Sequence, residues 1–289
     1  MKLVTFVRDG KTCLGALHPK ADDRVVNLGQ VEPRLPSDLV AFLKGGEEAR
    51  VMAEKALDMT PASMALPLSD VDLRAPVPRP GKIICIGLNY RDHAEEAGVE
   101  VPDYPTVFAK YPNCIIGAGE PIIIPKDSRQ VDYEGELAVV IGRRGRRIPE
   151  AEAPNYIAGY APFNDVSARD FQHRTSQWTI GKTFDTFGPM GPALVTPDEV
   201  LDPHGLTLRV SIGAEILQSS NTRHLIFSVY NLIAYLSAVM TLEPGDIIST
   251  GTPGGVGAAR KPPRFLKAGE VVRVEIEGLG VLENPVVNE

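Results

Sequence analysis

The stretch from Asp132 to Val140 reads Asp-Tyr-Glu-Gly-Glu-Leu-Ala-Val-Val, and it constrains the fold more than any other part of the chain. Side chains two apart on a strand share a face. Asp132, Glu134 and Glu136 therefore line up as a row of carboxylates on a strand that continues as pure core. Like charges packed side by side repel, and burial adds a desolvation cost. A divalent cation removes both problems, and hard oxygen ligands suit magnesium, manganese or calcium. A strand with an acidic, solvated face would show the same alternation, so the pattern needs support from elsewhere.

The chain has 289 residues, enough for one large domain or a large and a small one. A net charge of −7 argues against nucleic acid and an anionic membrane surface as main partners, because both carry the same sign. Three cysteines, Cys13, Cys85 and Cys114, without paired spacing point to a reducing compartment and to no zinc site. The N-terminus is charged too early for a secretory segment, and no apolar run is long enough to span a bilayer. The expected location is cytoplasmic.

Residues 1–72 are expected to form a small N-terminal domain. A hairpin is predicted from Leu3–Val7 and Thr12–Leu17 around Asp9-Gly10, followed by helices starting at Asp38-Leu39 and near Glu47. Pro61 to Pro80 holds five prolines and is expected to be a linker. Residues 73–289 then form the second domain. Lys82–Leu88 is a buried strand, and His93 and Glu96 after it lie one helical turn apart, where a carboxylate can orient an imidazole for proton transfer. Val99 to Pro105 suits a hinge or lid. Thr106–Lys110 is a strand, and Arg143 to Arg147, with four arginines in five residues, is expected to be a solvated tip. Tyr156–Asp165 is a strand ending in an acid that can serve a metal or cap a helix. Ser228–Met240 carries an apolar stripe of Leu232, Ile233, Leu236, Val239 and Met240. Gly251 to Gly257 is a loop whose amides can approach an anion closely, although it lacks the residues of a P-loop.

Five segments in this order resemble the fumarylacetoacetate hydrolase family: Gly87-Leu88-Asn89-Tyr90 with His93 and Glu96; Tyr133-Glu134-Gly135-Glu136-Leu137; Asn164 through Asp170; Gln177-Trp178 with Gly181-Lys182; and Thr250-Gly251-Thr252-Pro253 with Gly255-Val256-Gly257. The likeness runs from Lys82 to Asn284. It implies a mainly β (α+β) fold, a mixed β-sandwich roll with a small N-terminal α+β domain, and a homodimer. It further implies Glu134, Glu136 and Asp165 as ligands of magnesium or manganese, with calcium as a substitute. His93 and Glu96 would be a water-activating dyad and Lys182 a catalytic lysine. Lys110, Arg169, Gln172 and Thr252 would hold substrate oxygens. His173 matches no position of the family pattern and is expected to be structural or at the surface.

The activity this implies is metal-dependent hydrolysis of a carbon–carbon bond in an acylpyruvate-type 2,4-dioxo acid, such as fumarylpyruvate, with pyruvate enolate leaving. The same site also fits an isomerase or tautomerase and an oxaloacetate-type decarboxylase, since all three pass through an enolate. Arg169 and Lys182 fit substrate oxygens and equally fit salt bridges to the acids themselves. A non-catalytic, metal-stabilised β-domain would lack the base and the cations beside the acids.

Overall fold

The structure, a computed structural model, describes residues 1–98 and 100–289. It is mostly strand with few helices, as expected. The larger of its two main sheets is mixed and has eleven strands. Its middle is the antiparallel pair Gly135–Ile141 and Ile157–Asn164, buried along its whole length. Strands covered on both faces read as continuous apolar runs, which is the composition of both segments. Beyond Gly135–Ile141 come Ile247–Ser249, then Ile83–Gly87 in parallel, then Thr106–Lys110 at the edge. Beyond Ile157–Asn164 come Leu194–Val195, Lys2–Arg8, Lys11–His18 and Ala21–Asn27.

The N-terminal hairpin forms as expected, with Asp9 and Gly10 both at positive φ, 51° and 73°. The linker does not. Leu66–Pro67 pairs with Ala21–Asn27, and Asp72–Arg74 pairs with Lys2–Arg8. Lys2–Arg8 itself pairs with Leu194–Val195, so the first seventy residues extend the main sheet, and Leu3, Leu14 and Leu28 belong to the same core as Leu137 and Val139. Pro67 sits in a short edge strand and Pro61 just before a 3-10 turn, where the missing N–H costs little, and Pro76, Pro78 and Pro80 follow outside any strand or helix. The arginine tip is solvated as expected, all four arginines being exposed, and three of them are also tied down at the surface. Arg143 stacks on Tyr156, Arg144 pairs with Glu243, and Arg146 donates to the carbonyls of Ser237 and Ala238 at a helix end. That helix, Val229–Val239, buries Leu232, Ile233 and Leu236 but leaves Val239 exposed. Val99, where the hinge was expected to begin, lies outside the described residues; 101–105 form neither helix nor strand.

A five-stranded sheet, in the order Glu215–Asn221, Thr207–Ile212, Val271–Ile276, Gly280–Asn288 and Ile122–Ile124, packs against the central pair. The approach is closest at Gly135, where an added Cβ would lie 2.3 Å from Val210 Cγ2 and 3.3 Å from Val274 Cγ1. This explains a glycine between two glutamates: any side chain there would push the sheets apart at the acids. Gly135→Ala is expected to lower stability by about 1–3 kcal/mol, the usual cost of overpacking. The check is a lower denaturation midpoint at unchanged slope.

Candidate active site

Strand register builds the acidic site. Gly135 pairs with Asn164 and Glu136 with Phe163, so the residues just outside the ladder, Glu134 and Asp165, face each other. Asp165 N donates to Glu134 O at 2.8 Å, and Glu134 N donates to Asn164 Oδ1 at 3.0 Å. Carboxylate oxygens of Glu134, Glu136 and Asp165 lie within 4.8 Å of one another, and all three residues are buried. The expected row of Asp132, Glu134 and Glu136 does not form. The strand breaks after Asp132 and resumes at Gly135, which turns Asp132 out of the row. Asp132 instead accepts from Gly257 N at 2.8 Å and Ala258 N at 2.9 Å, and pairs with Arg169.

Three cations back these acids. Lys182 Nζ donates to Glu134 Oε2 and Asp165 Oδ2, both at 2.8 Å. Lys110 Nζ donates to Asp165 Oδ1 at 2.6 Å and to Val166 O at 3.1 Å. Arg169 Nε donates to Asp132 Oδ2 at 2.8 Å and Nη1 to Gln172 Oε1 at 2.9 Å. Its Nη2 sits 2.6 Å from Glu134 Oε1 and 2.8 Å from Asp132 Oδ2, ion-pair contacts without linear hydrogen-bond geometry. Burial by itself would raise the Glu134 carboxyl, but Lys182 and Arg169 outweigh it and hold it at about 2. Burial likewise works against the Lys182 ammonium, and Asp165 and Glu134 outweigh it, raising that group.

Glu136 is different. Its Oε2 accepts from the Ser249 hydroxyl and from Gly251 N at 2.8 Å, with no basic group at ion-pair distance among the described residues. Burial, then the charges of Asp165 and Glu134, push its carboxyl well above the ordinary range. Four carboxylates thus meet three cations, and Glu136 is the acid left over. The donor set is all oxygen, and each of the three carboxylates keeps a lone pair beyond the bonds it accepts; in Glu136 it is on Oε1, since Oε2 accepts twice. These residues fit a hard divalent cation, and Lys110, Lys182 and Arg169 orient its ligands from behind.

Above the triad is a cavity of about 300 Å³, lined by Glu134, Glu136, His93, Gln172, Lys182 and Thr252 among others. His93 Nδ1 is 3.4 Å from Glu96 Oε2, so the dyad expected from the sequence is assembled at the cavity wall. Lys110, expected to hold a substrate oxygen, is not among the residues that line the cavity: it is fully buried and paired with Asp165. Arg169 lines the cavity, but its guanidinium is engaged with Asp132, Glu134 and Gln172. The Thr252 hydroxyl donates to Gly135 O at 3.0 Å and accepts from Gln218 Nε2 at 2.9 Å, which commits its proton to the backbone. His173, expected to be structural or at the surface, is exposed and lines the cavity mouth. Ser249 and Gln218 escaped the sequence reading. Nothing local marks them, since each acts through a strand pairing and a loop distant in sequence.

The chain matches the family model described as fumarylacetoacetate (FAA) hydrolase C-terminal over residues 82–287. It belongs to the fumarylacetoacetate hydrolase family. Within this family of enzymes it is 50% identical, over 91% of this chain and 84% of the relative, to the mitochondrial oxaloacetate tautomerase Fahd2a of Rattus norvegicus. A 5-carboxymethyl-2-hydroxymuconate delta-isomerase from Mycobacterium smegmatis superposes with a TM-score of 0.79 at 36% identity, covering 100% of this chain and 99% of that one. Maleylpyruvate hydrolase from Sphingobium sp. SYK-6, solved in complex with manganese (II) ion and pyruvate, superposes at 0.83 with 30% identity, covering 100% and 99%. The fold is therefore the one the resemblance implied, and the relatives include tautomerase, isomerase and hydrolase. No helix among the described residues is long and apolar enough to cross a membrane.

The charge count has a measurable consequence. Raising the Glu136 carboxyl favours its protonated form in the metal-free protein, so a cation bound there competes with that proton. Metal binding is expected to release protons and to tighten with rising pH by up to about tenfold per unit while Glu136 stays protonated. Manganese titrations at several pH values, with proton release followed calorimetrically, test this; affinity independent of pH would contradict it.

Proposed function

We propose that the protein interconverts the enol and keto forms of a small 2-oxo dicarboxylic acid of the oxaloacetate type, using magnesium or manganese held by Glu134, Glu136 and Asp165. One observation carries the reading: His93, paired with Glu96, lines one small cavity together with Glu134 and Glu136 of the buried all-oxygen triad. The cavity lies at the lower end of the range of roughly 300–1,000 Å³ for small-molecule sites, which favours a short acid. The 50% identity to an oxaloacetate tautomerase supports the same choice.

A divalent cation, when bound, supplies Lewis acidity toward the two oxygens of a 2-oxo acid and so acidifies the neighbouring C–H. The chain's own residues do the rest. Four acids against three bases leave the site at −1 when all are ionised, and a dication turns it to +1. An anionic substrate is then attracted locally to a protein whose net charge is −7. Gln172 is fixed by donation from Arg169 to its Oε1, which leaves Nε2 as a free donor on the cavity wall. Glu96 accepts from His93 Nδ1 and leaves Nε2 as the basic nitrogen that carries the proton at C3. Neither keto nor enol form gains or loses atoms overall, so one such group suffices.

A second reading, hydrolysis of an acylpyruvate, is favoured by the manganese- and pyruvate-bound maleylpyruvate hydrolase relative. In it, His93 would take its proton from water instead. Stopped-flow decay of the enol absorbance, with products read by mass spectrometry, separates the two. His93→Ala is expected to slow enol–keto conversion by about 10²–10⁴-fold, with metal affinity retained, and Glu136→Ala to lose both. Rapid formation of pyruvate and an acid from an acylpyruvate, with enol decay no faster than in buffer, would overturn the tautomerase reading.

A further inference from the structure

The dyad rides on a helix too short to place itself. Arg91–Ala97 has seven residues and no side-chain cap at Tyr90, and helices of that length are not stable alone. Its position therefore depends on its ties to the body. Ala94 is buried beneath it. Asp92 and Glu96, four apart, share one face of the helix, and both reach the glycine-rich loop. Glu96 accepts from Gly255 N at 3.0 Å through either oxygen. Asp92 Oδ1 accepts from Gly254 N at 3.4 Å, and its Oδ2 accepts from Ser220 Oγ at 2.6 Å, with His224 Nδ1 4.0 Å away. Ser220 belongs to strand Glu215–Asn221 of the five-stranded sheet, so Asp92 ties the helix to a rigid element outside the loop.

We propose that Asp92, with Ser220, is the positioning residue that sets where His93 stands over the cavity. This rests on the reading of His93 as the proton-carrying group. Glu96 is poorly placed to do the job alone. It is the shorter-range partner of Gly255, at 3.0 Å, and the longer-range partner of His93, at 3.4 Å. Without Asp92 one carboxylate would have to hold both the helix and the imidazole. The adjacent loop cannot compensate by moving inward, because Gly255 has φ +99° and an added Cβ would stand 2.4 Å from Leu217 O. The short bond to Ser220 is charge-assisted, the stronger class of hydrogen bond, and it fixes the rotation of the helix about its own axis. Rotation is the movement to which His93, on the next residue, is most sensitive. Asp92 touches neither the acids of the triad nor the cavity wall, so its effect reaches the reaction only through His93.

The test uses the metal-loaded full chain and the enol-to-keto rate. Asp92→Ala and Ser220→Ala are expected to lower kcat by about 10–100-fold, the scale of an ångström-sized misplacement. KM and manganese affinity should stay within a few-fold of the parent. Asp92→Asn should recover most of the rate, with Nδ2 donating to Ser220 and Oδ1 accepting from Gly254. In the His93→Ala background Asp92→Ala should have no further effect on the residual rate. Should Asp92→Ala fail to fold, Ser220→Ala is read on the same scale. Parental kcat in Asp92→Ala or Ser220→Ala beside an inactive His93→Ala overturns the positioning role alone. So does an equal loss in the His93→Ala background, which would mark a general structural effect. Full activity of His93→Ala would overturn the functional reading and the positioning role together.

Discussion

Four buried carboxylates within one site would repel each other strongly in a low-dielectric interior, and the rest of the structure is arranged around their compensation. Two of the acids, Glu134 and Asp165, are neutralised by Lys182 and Lys110 from separate elements. A third, Asp132, is balanced by Arg169, which also contacts Glu134. Glu136 alone is left with a hydroxyl and one backbone N–H. That imbalance of one acid makes the point where Glu136 meets Glu134 and Asp165 fit for a cation.

The glycine-rich loop is the second half of the compensation. Its amides meet anions, as its composition suggested, but the anions are the protein's own. Gly251 N holds Glu136, Gly254 N holds Asp92, Gly255 N holds Glu96, and Gly257 and Ala258 N hold Asp132. One loop thereby links the triad, the arginine anchor and the dyad helix. Backbone amides suit this task because they offer partial positive charge at a fixed place without a titratable group of their own. The glycines are needed for reach: at Gly257 an added Cβ would collide with Arg264 O and Asp132 Oδ1.

Several sequence expectations failed for one shared reason. Asp132 leaves the expected row because the strand breaks at Tyr133 and Glu134, a break that the Asp132–Gly257 bond stabilises from 125 residues away. Lys110 ends a strand at the sheet edge on that strand's inward face, where Asp165 and Val166 accept from it. The proline-rich segment looked like a linker because its two-residue and three-residue strands are too short to show a period, and only the neighbouring strands recruit them. His173 is exposed, as expected of it, and its place beside the cavity depends on how the turn after Arg169–Gln172 folds back.

Local chemistry in the sequence decided the central strands, the hairpin at Asp9-Gly10, the helix caps at Asp38 and Ser228, and the residues available for chemistry. These depend on side-chain period and turn conformation, which act over a few residues and are written in neighbouring positions. Tertiary structure decided which carboxylate oxygen meets which cation, which acid is left uncompensated, and how the dyad helix is fastened. Those pairings join residues from 17 to more than a hundred positions apart, and strand register and loop path, not local preference, set the ångström distances on which electrostatic compensation depends.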